Sequence, residues 1–162
     1  MINLAKQHCE KLNNFIAIHL RSGDILYTYA PFRLYNRQCT DHATPYEFAL
    51  GIIEKHKDQN IVIIGDDVTS MRELKNMANT SNIKLIEEFR DMDKYSNLEL
   101  LIYDVVFMSR AQLLYGTHST LVKLAWSINP NLENINPHYM IDAQTLYLWL
   151  KTYHDTCKNL SL

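Results

Sequence analysis

Glycine and proline are scarce, four of each in 162 residues, so the chain has no collagen-like repeat and no flexible low-complexity tract. Only three cysteines are present, Cys9, Cys39 and Cys157. They are far apart, odd in number and without a C-x-x-C pair or a His/Cys cluster, and so read as reduced thiols, neither a disulfide framework nor a zinc site. No apolar run approaches the ~18 residues a membrane helix needs. The first residues, MINLAKQHCEKLNNF, lack the apolar centre of a secretory signal. Both absences point to a soluble protein working in the cytoplasm or at the cytoplasmic face of the membrane. No sign of charge dominates: sixteen basic and eighteen acidic residues leave a net charge of −2. That balance argues against a nucleic-acid partner. Three signatures are also missing. Without G-x-x-x-x-G-K-[ST], G-x-G-x-x-G or G-x-S-x-G, a P-loop hydrolase, a dinucleotide dehydrogenase and an α/β-hydrolase lose their support.

What is there is an ordinary globular composition, 47% hydrophobic and 21% charged, over a length that suits one domain with a core of its own. Short runs rich in Ile and Val alternate with helical patterns, the mark of a parallel sheet covered by helices. A helix is expected over 2–12 and a strand over 15–20. Thr44 would cap a helix from Pro45 to about Lys57. NIVIIGDD, residues 60–67, is continuously apolar before its acidic end, as a strand covered on both faces should be. A helix over 69–79 and a short strand over 83–89 follow. In the next segment, residues 97–111, the apolar positions 98, 101, 102, 105, 106 and 108 have helical spacing. QLLYG at 112–116 reads as a strand, THSTLVKLAWSI as a turn into a helix, PHYMID at 137–142 as a last strand, and Asp142 as the cap of a closing helix over 143–157. The fold class is therefore α/β, a Rossmann-like, doubly wound and mostly parallel sheet, in a single domain spanning residues 1–162.

In such sheets ligands bind beyond the carboxyl ends of the strands. Three polar clusters fall there: HLRSGD at 19–24, GDD at 65–67 and GTHST at 116–120. Arg21 offers a planar fork of donors matched to phosphate oxygens, and Gly23 permits close backbone approach. Ser119 and Thr120 at a helix start supply hydroxyls, free N–H groups and the positive end of the helix dipole. Asp66 or Asp67 suits a ribose hydroxyl or the N–H edge of guanine. Together these groups describe a site for a nucleoside diphosphate. Each has a plainer role: Arg21 paired with Asp24, an aspartate or Ser119 as a helix cap, His19 as a satisfied rim histidine. Asp104 stands in an apolar helix, where an unpaired carboxylate is costly, so it faces solvent or serves a purpose.

His19-Leu20-Arg21-Ser22-Gly23-Asp24 resembles the H-x-R-x-G-D motif of the fucosyltransferase superfamily that makes α-1,2, α-1,6 and protein O-linked fucose. IVIIGDD is similar to that group's second motif, and residues 101–128, LIYDVVFMSRAQLLYGTHSTLVKLAWSI, to its third. The three stand in the family's order and cover residues 15–128. The resemblance implies the donor-binding, C-terminal lobe of a two-lobed GT-B glycosyltransferase that uses GDP-fucose and transfers the sugar with inversion to a glycan acceptor, without a metal or other cofactor. It implies that Arg21 holds the β-phosphate and stabilises departing GDP, with His19 beside the diphosphate and Gly23 and Asp24 completing the motif. Asp66 or Asp67 and Asp104 would meet the guanosine end, and Ser119 and Thr120 the phosphate oxygens.

Two features depart from the family's pattern. His118 stands in GTHST where the family often has phenylalanine. The acceptor lobe is also unaccounted for, so a missing N-terminal lobe or a second copy of the chain is the expected partner. His19, Asp24 and His42 are available as general bases, the alternative being a base supplied by the missing lobe. Residues 24–48, with four tyrosines, two phenylalanines and two arginines, form either an acceptor or guanine wall or a loop packed on the sheet. A non-catalytic GDP-sugar module and a transferase of another GDP-sugar are the rival readings.

Overall fold

The computed structural model describes residues 1–21, 44 and 46–136. Chain order is α1 (Ile2–Leu12), β1 (Phe15–Leu20), α2 (Tyr46–Lys55), β2 (Asn60–Gly65), α3 (Val68–Ala78), β3 (Ile83–Leu85), a 3-10 turn (Ile86–Glu88), α4 (Asn97–Ser109), β4 (Leu113–Tyr115), α5 (Thr120–Ile128) and β5 (Glu133–Ile135). The five strands form one sheet in the order β3-β2-β1-β4-β5, and every pairing is parallel. The doubly wound α/β architecture read from the alternation is the one observed.

β1 is the centre of the sheet, with Ile16 opposite Ile61 of β2 and Leu113 of β4. All six of its residues are buried, which is why FIAIHL shows no alternation: helices cover both faces. α4 packs against α1 and α5, while α2 packs against α3. Right-handed crossovers put these two helix groups on opposite faces. Under α4, the Phe107 ring lies 5.1 Å from Phe15 and 5.3 Å from Phe89, and the Tyr103 hydroxyl meets His8 Nδ1 at 2.7 Å. On the other face the buried Tyr115 hydroxyl is held by His56 Nε2 at 2.8 Å and Lys55 Nζ at 3.3 Å.

Several boundaries differ from the sequence reading, each for a local reason. β2 stops at Gly65 because Asp67 caps α3, accepting from the N–H groups of Thr69 and Ser70, both at 3.2 Å. β3 ends at Leu85, where Glu88 accepts from the Leu85 N–H at 2.9 Å and turns the chain into the 3-10 element. Ser96 opens α4 through a capping box with Glu99. On α4, Leu98 and Leu101 are exposed although they share the apolar spacing. Thr44, ahead of α2, ties back to the end of β1: its hydroxyl donates to the His19 carbonyl at 3.4 Å and its N–H to the Arg21 carbonyl at 3.3 Å. A fifth strand forms at Glu133–Ile135. The strand and helix expected over 137–142 and 143–157 lie outside the described residues, as do most of the aromatic segment at 24–48, Gly23 and Asp24. Among the described residues no helix is long and apolar enough to cross a membrane.

The ends of β1 and β2 come very close. A Cβ on Gly65 would sit 2.6 Å from the Leu20 carbonyl oxygen and 3.2 Å from the Met71 side chain. Since backbone cannot step aside as a flexible side chain can, Gly65→Ala should cost about 1–3 kcal/mol, read from the urea midpoint. An unchanged midpoint would mean that the two strand ends can separate freely.

Candidate functional site

A cavity of about 310 Å³ opens at the carboxyl edge of the sheet, within the size range of small-molecule sites. Its position follows from topology. β1 runs to β2 on one side and pairs with β4 on the other, so the connections diverge beside β1 and leave a crevice. Ile64, Val68, Leu100, Leu101 and Leu121 give it apolar walls, and His19, Arg21, Asp66, Arg90, Asn97 and Asp104 its polar groups.

β1 delivers the first of these. His19 lies opposite Ile64 of β2 and is only 4% exposed. Its Nδ1 is buried with no hydrogen-bond partner among the described residues. Burial pushes the imidazole down to about 4 and the Arg21 charge adds to the fall, while Asp66 opposes both. His19 is therefore neutral at pH 7, able to give or take one hydrogen bond there but not to act as a cation. Arg21 follows directly after the strand and lines the cavity with it.

β2 splits its aspartate pair. Asp66 reaches the cavity. Asp67 is committed to α3 as its cap, with Ser70 Oγ also donating to it, and does not line the cavity. The plainer reading of an aspartate at a strand-to-helix turn holds for Asp67 and not for Asp66.

α4 supplies Asp104, 7% exposed. Its partner is Arg90, which the sequence reading did not single out. Arg90 Nη1 donates to the Asp104 carboxylate and, at 3.1 Å, to the Leu100 carbonyl. Burial pushes the Asp104 carboxyl up to about 7, outweighing the pull of the Arg90 guanidinium beside it. The signal for Arg90 was indirect: a carboxylate in an apolar helix demands a cation, and the segment between β3 and α4 offers one at FRD.

From β4 and α5 the picture is mixed. Ser119 is buried and caps α5, its hydroxyl accepting from the Leu121 N–H at 3.3 Å. Thr120, the first residue of α5, is exposed. Neither lines the cavity; Leu121, in the same first turn, does. A second hydroxyl was missed. Thr117 Oγ1, 2% exposed, has no hydrogen-bond partner among the described residues. Tight packing fixes this turn, because a Cβ on Gly116 would meet Val122 of α5 at 2.7 Å.

Comparison with known proteins agrees with the architecture. The fold resembles that of POFUT1, a GDP-fucose protein O-fucosyltransferase, in its apo form: TM-score 0.51 at 12% identity, over 82% of this chain and 44% of that one. A second POFUT1 structure, in complex with GDP, gives a TM-score of 0.47 at 16% identity over 82% and 45% of the two chains. The likeness is one of fold. This chain spans less than half the length of the neighbour it matches. No protein-family model and no curated protein sequence matches it.

Proposed function

We propose that this chain is the donor-binding lobe of a fucosyltransferase-like glycosyltransferase of the two-lobed GT-B type, and that it takes GDP-fucose into the carboxyl-edge cavity. One observation carries the reading. His19 and Arg21 of the first motif, Asp66 of the second, and Asp104 and Leu121 of the third are widely separated in sequence, yet all line one cavity of about 310 Å³. The POFUT1-like sheet supports the same assignment.

Each group then has a part that its chemistry suits. The Arg21 fork binds the diphosphate, assisted by the N–H groups at the start of α5, whose dipole favours an anion. Asp104, as carboxylate, accepts from a ring or exocyclic N–H of the base, and Asp66 from a ribose hydroxyl. Neutral His19 offers a single hydrogen bond beside the phosphates. The apolar walls take the flat faces of the base. When the sugar–phosphate bond breaks with inversion, negative charge grows on the departing diphosphate, and donors already fixed around it stabilise that charge without a metal ion. The acceptor glycan would be presented by a second lobe or by a second copy of the chain.

The test is ligand-dependent melting with GDP, GDP-fucose, UDP and ADP. At a hundred times its dissociation constant a ligand adds about 2.7 kcal/mol of stability. GDP and GDP-fucose should raise the melting temperature by several degrees, with UDP and ADP giving little. Equal shifts from all four, or none, would remove the assignment. A second reading is a GDP-sugar-binding module without turnover. Release of GDP from GDP-fucose separates it from an enzyme.

A further inference from the structure

Arg90 is unusual among the described cationic residues. Its side chain is 6% exposed, and a buried guanidinium is costly unless its donors are used. Two acceptors are in place, the Asp104 carboxylate and the Leu100 carbonyl, both on Nη1. Its Nε–H is buried with no partner among the described residues, although the residue lines the cavity. The contact to Leu100 fixes the guanidinium against α4, one turn before Asp104. Nothing in the packing of the sheet requires a cation here. What requires it is the carboxylate.

We propose that Arg90 is a positioning residue: it favours the charged form of Asp104 and directs that carboxylate into the cavity, so that the affinity for a bound nucleotide follows the charge on Asp104. The acceptor half of this inference rests on the nucleotide-binding reading of the cavity; the effect of Arg90 on Asp104 does not. Asp104 needs such help because its surroundings press it toward the neutral acid. Leu100, Leu101 and Leu121 line the cavity around it, and burial is the largest influence on its carboxyl, with the Arg90 charge and hydrogen bond opposing. A protonated Asp104 would present a donor where the ligand's N–H also donates. Other charged or titratable groups also face this space. His19 and Arg21 reach it from β1 and Asp66 from the end of β2. Tyr103 precedes Asp104 on α4, with its hydroxyl on His8 of α1. Neutral at pH 7, His19 cannot replace Arg90 as the cation.

The experiment has two arms on the same proteins. The first follows the Asp104 carboxyl by carbon-13 NMR in the ligand-free chain. The wild-type midpoint should lie near 7. In Arg90→Gln it should rise by about 1–3 pH units, the usual effect of losing a neighbouring opposite charge. Arg90→Lys, which keeps the charge without the fork, should fall between the two. If Arg90→Gln does not fold, Arg90→Lys alone still decides, because any upward displacement supports the role and an unmoved midpoint overturns it. The second arm measures GDP affinity from pH 6 to pH 8 in wild type, Asp104→Asn and Arg90→Gln. A carboxylate centred on 7 changes its ionised fraction about tenfold over that range, and GDP should bind wild type about tenfold more tightly at the upper end. The same gain should vanish in Asp104→Asn, where titration of the phosphates alone remains. Arg90→Gln should postpone it to higher pH. A displaced NMR midpoint without GDP binding at any pH would remove the nucleotide reading and leave Arg90 as the residue that charges Asp104. GDP binding with a pH profile identical in wild type and Arg90→Gln would overturn the inference while leaving that reading intact.

Discussion

Replacing Arg21 with alanine is expected to lower the rate of GDP release from GDP-fucose by about a hundredfold to a thousandfold, the usual loss when one preorganised charge is removed from a developing anion. The fold should survive. Arg21 lies just past the last residue of β1 at the mouth of the crevice, and the buried strand packing of Phe15, Ile16 and Ile18 does not depend on its side chain. Arg21→Lys should recover little of the loss, because an ammonium is a point charge and cannot bind two oxygens in one plane. The measurement is a single-turnover assay of donor cleavage beside a urea unfolding curve. Turnover within threefold of wild type in Arg21→Ala would end the role given to this residue. A parallel collapse of the unfolding curve would instead assign Arg21 to stability.

The parts of this fold legible in the sequence are those where one physical demand acts alone. FIAI and IVIIG are continuously apolar because both faces of a central strand are covered, and no neighbouring signal competes. The carboxyl-edge position of the polar clusters followed from the alternation of strands and helices. Where two demands met, the sequence was ambiguous. Asp66 and Asp67 are identical in type and adjacent, and only the φ and ψ of the turn decide which one caps α3 and which one reaches the cavity. Ser119 carried the same ambiguity and proved to be a cap. Arg90 was illegible for another reason. A cation serving a buried carboxylate fourteen residues away leaves no periodic mark, and it becomes visible only when the 3-10 turn after β3 folds back toward α4. β5 is three residues with two of them exposed, too short for either period to register.

A second large effect concerns pH and stability, because the cavity holds two groups displaced in opposite senses. His19 has its folded midpoint near 4, below the ordinary 6.5. As pH falls from 6.5 toward 4 the unfolded chain takes up this proton and the folded one does not, so stability is lost on acidification, on the order of 3 kcal/mol in all. Asp104 is raised from 3.8 to about 7. Here the folded chain holds the proton that the unfolded chain releases, so stability is fully present below about 4 and is lost as pH rises through 7, on the order of 4 kcal/mol. Between pH 4.5 and 6.5 the two slopes, each about 1.4 kcal/mol per pH unit, oppose each other and nearly cancel. Single replacements should expose them. Relative to wild type, His19→Gln should gain about 3 kcal/mol on going from pH 6.5 to 4.5, and Asp104→Asn should lose about as much, while the double variant should track wild type. Groups elsewhere, such as Glu88 and Glu99 with their carboxyls held low, titrate alike in all four proteins and drop out of the differences. Urea unfolding at the two pH values supplies the numbers. A His19→Gln difference that stays level between them would mean that the imidazole is solvated, and with it would go the buried, neutral His19 of the cavity wall.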